Sequence, residues 1–129
     1  MFTSTGIIRY HDNPYKLVVD IDQEISNYYR SLLPKCIKPN RQRYEAHISV
    51  VRKEIPINLQ FWKKYEGEEV EFCYTNQVFF SDNYCWLNVF CIRLEEIRLE
   101  LGLPVSSIYT LPPEGFTKCF HSTIGNFKE

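Results

Sequence analysis

The chain has 129 residues, 44% apolar and 24% charged, which suits one domain with its own core and excludes a disordered chain. A net charge of −1 provides no overall field for long nucleic acid, and no apolar run reaches the length of a membrane span. Five cysteines without a C-x-x-C pair or finger spacing, behind an N-terminus lacking a signal pattern, predict a cytoplasmic protein with reduced, mostly buried thiols.

Gly6–Tyr10 and Tyr15–Val19 read as extended segments around an Asp12-Asn13-Pro14 turn signal. From Asp20 to Leu33 the period becomes helical, with Ile21, Ile25, Tyr28/Tyr29 and Leu32 on one face. Asp20 or Asp22 supplies the cap and Pro34 the stop. A loop, 35–40, leads into Tyr44–Arg52, where strand alternation sets His47, Ser49 and Val51 on one face and Ala46, Ile48 and Val50 on the other. Lys35, Lys38, Arg41, Arg43, Arg52 and Lys53 bracket His47; the pattern fits either a solvated loop or a local phosphate-attracting rim.

Further on, Asn58–Tyr65 predicts a short helix capped by Asn58, followed by an acidic turn and strand at Glu66, Glu68, Glu69 and Glu71. Val70, Phe72 and Tyr74 alternate inward, a separate extended segment spans Gln77–Phe80, and Ser81-Asp82-Asn83 marks a turn. Tyr84–Cys91, apolar at nearly every position, predicts a strand covered on both faces. Arg93–Leu101 predicts an amphipathic helix with Leu94, Ile97 and Leu101 inward and Glu95 and Arg98 paired outside, closed by Gly102 and Pro104. Pro104–Lys118, with three prolines and one glycine, reads as a long loop of the kind that often carries function. The order strand, helix, histidine strand occurs twice.

The second histidine strand, Phe120–Asn126, again sets a histidine and a hydroxyl side by side, here His121 and Thr123. A lone His-x-Ser is common and carries little. Two of three histidines in that pattern, both in apolar strand contexts, point to a paired site; His11 fails the pattern and reads as a surface turn residue. No H-E-x-x-H or comparable ligand set accompanies them, so no metal is expected, and Ser49 does not lie on a G-x-S-x-G elbow. Two imidazoles exchange protons near pH 7, one as acid and one as base, while adjacent hydroxyls hydrogen-bond phosphate oxygens. The chemistry implied is metal-free phosphodiester cleavage without a cofactor.

The motifs His47-Ile48-Ser49-Val50 and His121-Ser122-Thr123-Ile124, 74 residues apart, resemble the paired H-x-(S/T)-h signatures of the two-histidine (2H) phosphoesterases. Within that superfamily, 39–41, 43–52 and 115–126 are most similar to the phage anti-CBASS group, whose members degrade cyclic oligonucleotide messengers of bacterial antiviral signalling. The resemblance implies an α+β, bilobal fold in one domain, 1–129, with two pseudo-symmetric antiparallel lobes about a cleft. It further implies a cyclic di- or trinucleotide substrate cut at 3′–5′ linkages, with His47, Ser49, His121 and Thr123 catalytic. Arg41 and Arg43 are the candidate phosphate contacts, and Tyr15 and Tyr44 the candidate stacking residues for bases. Ser49 stands where threonine is common, and few residues follow the second motif, which leaves substrate choice open. An RNA-end 2′,3′-cyclic phosphodiesterase or ligase and a non-catalytic nucleotide sponge are the alternatives. No membrane partner is expected.

Overall fold

The computed structural model describes residues 1–105 and 111–127. The fold is α+β, with six antiparallel strands and two α-helices among these residues. The first half of the chain runs β1 (Phe2–His11), β2 (Lys16–Asp20), α1 (Gln23–Ser31) and β3 (His47–Val51). The second half repeats that order as β4 (Glu69–Phe80), β5 (Tyr84–Phe90), α2 (Ile92–Glu100) and β6 (Phe120–Asn126).

Hydrogen bonding closes the strands into one ring, β1-β2-β3-β6-β5-β4. Each half supplies three consecutive strands, and two seams join the halves into a single closed barrel, β1 to β4 and β3 to β6. The β3–β6 seam places the two histidine strands edge to edge.

Each helix covers strands of the other half. From α1, Tyr29 packs with Cys85, Leu87 and Ile124 of β5 and β6. From α2, Leu94 and Ile97 join a larger core containing Ile8, Leu17, Val19, Ile48 and Val50. An arginine on each helix then grips the histidine strand it covers. Arg30 donates to the Ile124 carbonyl at 2.9 Å and Arg98 to the Val50 carbonyl at 2.8 Å, each acceptor lying three residues beyond its histidine.

Several sequence-based expectations change. Arg98, only 2% exposed, and Glu95 are both buried, rather than paired on the outer face of α2. Arg98 makes a two-pronged pair with Glu54 at 2.8 and 2.9 Å, while Glu95 accepts from the Thr117 backbone at 3.0 Å. A charged residue facing inward breaks the helical pattern only when its partner lies far along the chain, and Glu54 is such a partner. The guanidinium holds the Glu54 carboxyl below its ordinary range. In place of the helix predicted over 58–65 there is a single 3₁₀ turn, Leu59–Phe61; Asn58 does not cap it and donates instead to the Glu100 carbonyl at 2.9 Å. The segments 70–74 and 77–80 form one strand, β4, whose register against β5 shifts between Tyr74 and Val78. Val51 is fully buried instead of sharing the face of His47 and Ser49, because an irregularity opposite Leu17/Val18 adds a residue to β3 there.

Asp22 caps α1, accepting from the Glu24 amide at 2.9 Å. None of the five cysteines is in a disulfide; Cys85, Cys91 and Cys119 are buried. No helix among the described residues is long and apolar enough to cross a membrane. Of the predicted loop 104–118, residues 106–110 lie outside the described residues.

Candidate active site

The face of β3 and β6 turned away from the core carries the two motifs. Alternation buries Ile48 and Val50 on β3 and Phe120, Ser122 and Ile124 on β6, leaving His47, Ser49, His121 and Thr123 on the accessible side. In the seam Ser49 stands directly opposite His121. His47 and Thr123 each lie two residues from that pair on their own strands, on the same accessible side by alternation.

The neighbouring strands complete the surroundings. Across β2, Asp20 pairs with His47 and Val18 with Ser49; across β5, Asn88 pairs with His121 and Trp86 with Thr123. The Trp86 ring lies 5.2 Å from the His121 ring and donates its Nε1 hydrogen to Asn88 Oδ1 at 3.2 Å. Phe79 stacks on the other side of Trp86 at 6.3 Å, so a short aromatic row runs from β4 to β6.

His47 Nδ1 lies 2.8 Å from the Glu45 carbonyl oxygen. A carbonyl only accepts, so Nδ1 carries the hydrogen and Nε2 is the nitrogen left to face a substrate. Solvent reaches the edge of His121, but the atoms packed beneath the ring, with the Lys118 ammonium adding like charge, hold its pKa below the ordinary 6.5. Lys118 itself is pushed down, first by burial and then by the Arg98 guanidinium, and its ammonium sits 5.6 Å from the Phe120 ring centre. Both groups shed protons more readily than in water, which suits a site receiving an anion and a proton.

The predicted contact residues divide. Arg41, Arg43 and Tyr44 are exposed on the segment leading into β3. A backbone bridge between Asn40 and Asn126 ties that segment to the end of β6, reinforced by Asn126 Nδ2 donating to Gln42 at 2.8 Å. Gly125 permits the approach: a Cβ there would meet Pro39 Cβ at 2.8 Å and the Asn40 oxygen at 3.1 Å. The bridge brings the arginine segment alongside the strand bearing His121 and Thr123. Tyr15 lies elsewhere, edge-on to Trp62 at 5.2 Å in a recess of about 400 Å³ that Asp12, Asn13, Leu59 and Lys63 also line.

Asp20, Trp86, Asn88 and Lys118 are site neighbours that sequence reasoning passed over. Asp20 read as one of two candidate helix caps, Lys118 as the end of a loop, and Trp86 and Asn88 as part of an apolar run. Their period-two spacing was visible, but the register that aligns Asn88 with His121 is not a property of either segment alone. Among the described residues no group of three or more His, Cys, Asp or Glu side chains could hold a metal ion. No family model, no curated protein and no solved structure matches this chain.

Proposed function

We propose that the protein is a metal-independent phosphodiesterase acting on 3′–5′ linkages in nucleotides, with cyclic di- and trinucleotides the substrate class that the motif resemblance favours. The observation that carries this reading is the β3–β6 seam. It sets two His-x-(Ser/Thr) motifs edge to edge, with Ser49 opposite His121 and both imidazoles on one accessible face. On this reading the two halves correspond to the two lobes of the 2H arrangement, each contributing one motif strand.

The residues perform complementary steps. One imidazole removes the proton of the ribose 2′-OH as that oxygen bonds to phosphorus. The other donates a proton to the 5′-oxygen as the P–O5′ bond breaks, leaving a 2′,3′-cyclic phosphate and a free 5′-hydroxyl. Ser49 and Thr123 hydrogen-bond the nonbridging oxygens, whose charge grows in the transition state. Arg41 and Arg43 supply positive charge alongside, and Trp86, half-buried beside His121, offers a base a flat surface.

Cyclic dinucleotides with ribose and with 2′-deoxyribose, incubated with the protein in EDTA and separated by chromatography, test the reading. The ribose ring is expected to open in the chelator and the deoxyribose ring to stay intact. Activity that disappears in EDTA and returns with zinc or manganese would overturn the metal-free mechanism. Equal cleavage of both rings would make water the nucleophile instead of the 2′-OH.

A further inference from the structure

We propose that Lys118, with Arg52 and Lys53 beside it, forms a second phosphate subsite at one end of the β3–β6 seam, which holds a phosphate of the substrate other than the one being cut. The inference rests on the phosphodiesterase reading and adds to it a preference for substrates that carry at least a second phosphate.

Strand direction brings these residues to one place. β3 and β6 are antiparallel with Ser49 opposite His121, so the residues after Ser49 and those before His121 run to the same end of the seam. Arg41 and Arg43 approach from the other end, where Asn40 bridges Asn126. β3 stops at Val51, Lys53 takes a left-handed φ of 56°, and Glu54 then meets Arg98 through bonds of 2.8 and 2.9 Å. Arg98 also holds the Val50 carbonyl, so the segment that exposes Arg52 and Lys53 is fixed at both sides. Lys118 feels the charge of both Arg98 and Glu54, which places its ammonium near that segment. Its backbone is anchored by Glu95, which accepts from the Thr117 and Lys118 amides at 3.0 and 3.4 Å.

The charge balance at this end differs from the rest of the surface. Away from the seam, Arg9, Lys63, Lys64 and Arg93 each sit in an ion pair. Among the described residues Arg52, Lys53 and Lys118 form none. The acids closest to Lys118 are engaged, Glu54 by Arg98 and Glu95 by the two amides, and the ammonium rests 5.6 Å from the Phe120 ring centre. A half-buried ammonium without a counter-ion costs free energy that a bound anion returns, and phosphate oxygens accept charge-assisted bonds from lysine and arginine alike. Lys118 stands three residues before His121, a span of at most roughly 11 Å, and its charge reaches the imidazole. The phosphate that reacts lies at the two motifs, so the one that Lys118 holds is its neighbour along the nucleotide.

Steady-state kinetics at about pH 8, above the imidazole range, test the subsite. The substrates are a dinucleoside joined by a single 3′–5′ phosphate, the same molecule with an added terminal phosphate at either end, and a cyclic dinucleotide. For wild type the second phosphate is expected to raise kcat/KM about tenfold or more, chiefly through KM. In Lys118→Gln that gain should shrink to within about threefold, and Lys118→Arg should recover most of it. A gain in Lys118→Gln equal to wild type, in protein with wild-type thermal unfolding, would overturn the proposal. If Lys118→Gln does not fold, the double variant Arg52→Gln/Lys53→Gln, at exposed positions, should lose about threefold or more of the gain, and no loss would overturn the proposal equally. Calorimetric titration with the 2′-deoxy cyclic dinucleotide separates the subsite from the chemistry. Wild type should bind it about tenfold more tightly than Lys118→Gln, whether or not any linkage is cut. That difference together with no cleavage of any substrate would sink the phosphodiesterase reading and uphold the anion site; equal binding by the two proteins would remove the subsite.

Discussion

The two halves of the chain use one plan and finish it differently. Both run hairpin, helix, histidine strand, and in both a helix arginine reaches across to the carbonyl three residues past the histidine. The helix arginines, however, are anchored unequally. Arg98 is buried, pairs through two bonds with Glu54, and donates to the Val50 and Pro104 carbonyls. Arg30 is half-buried and bonds Asn27, on its own helix, as well as the Ile124 carbonyl. The difference teaches that a repeated backbone plan fixes where the two motif histidines stand, whereas the residues next to them set how firmly they are held and what charge they feel.

The largest expected effects probe where the halves are equivalent. His47→Ala and His121→Ala should each cost roughly 10²–10⁴-fold in turnover, and the double variant much less than the product of the two. Ser49→Ala and Thr123→Ala should cost less, about 10–10²-fold, each removing one neutral donor. A single histidine variant with wild-type turnover would break the equivalence and the proposed site with it.

Stability should reveal the asymmetry of the arginines. Arg98→Ala strands the Glu54 carboxylate and two carbonyls, and about 3 kcal/mol of destabilisation is expected, at the low end for a broken buried pair because Glu54 keeps some solvent. Arg30→Ala removes a charge-assisted bond to one carbonyl and should cost about 1–2 kcal/mol. Urea unfolding of both variants measures the gap; equal losses would mean that the two helices are held to their histidine strands alike.

The smallest effect separates the halves by pH. His121 has its folded pKa depressed, so the unfolded chain binds its proton more readily. Its contribution to stability is complete above the ordinary 6.5 and is lost as pH falls below it. Glu54, depressed by Arg98, contributes in the same sense but in a lower window, with the loss beginning near its ordinary 4.5. In His121→Asn the first decline should disappear and the second remain. A mild-acid decline identical to wild type, followed by chemical denaturation at stepped pH, would assign that window to another group.

Much of this molecule was readable from residue order. Alternation along 44–52 and 120–126 identified the accessible and buried faces of both histidine strands apart from Val51, and the helical period located α1 and α2 to within three residues at every end. These are local properties, set by the two-residue repeat of a strand and the 3.6-residue repeat of a helix. The same local logic misread Glu95 and Arg98, since a burial pattern does not reveal that a distant Glu54 will neutralise an inward guanidinium. It also offered Asp20 beside Asp22 as the cap of α1; Asp22 is the cap, and Asp20 ends β2.

The sequence by itself determined the elements, their repeated order and the chemical kinds of group that two strands would present. Tertiary structure alone decided that those strands meet at one seam with Ser49 opposite His121, that Arg30 and Arg98 cross over to hold them, and that Asp20 faces one histidine and Asn88 the other. The physical reason is register. A strand's pattern specifies which side chains share a face, but a partner strand many residues away must be hydrogen-bonded in place before it is settled which of them stand opposite one another.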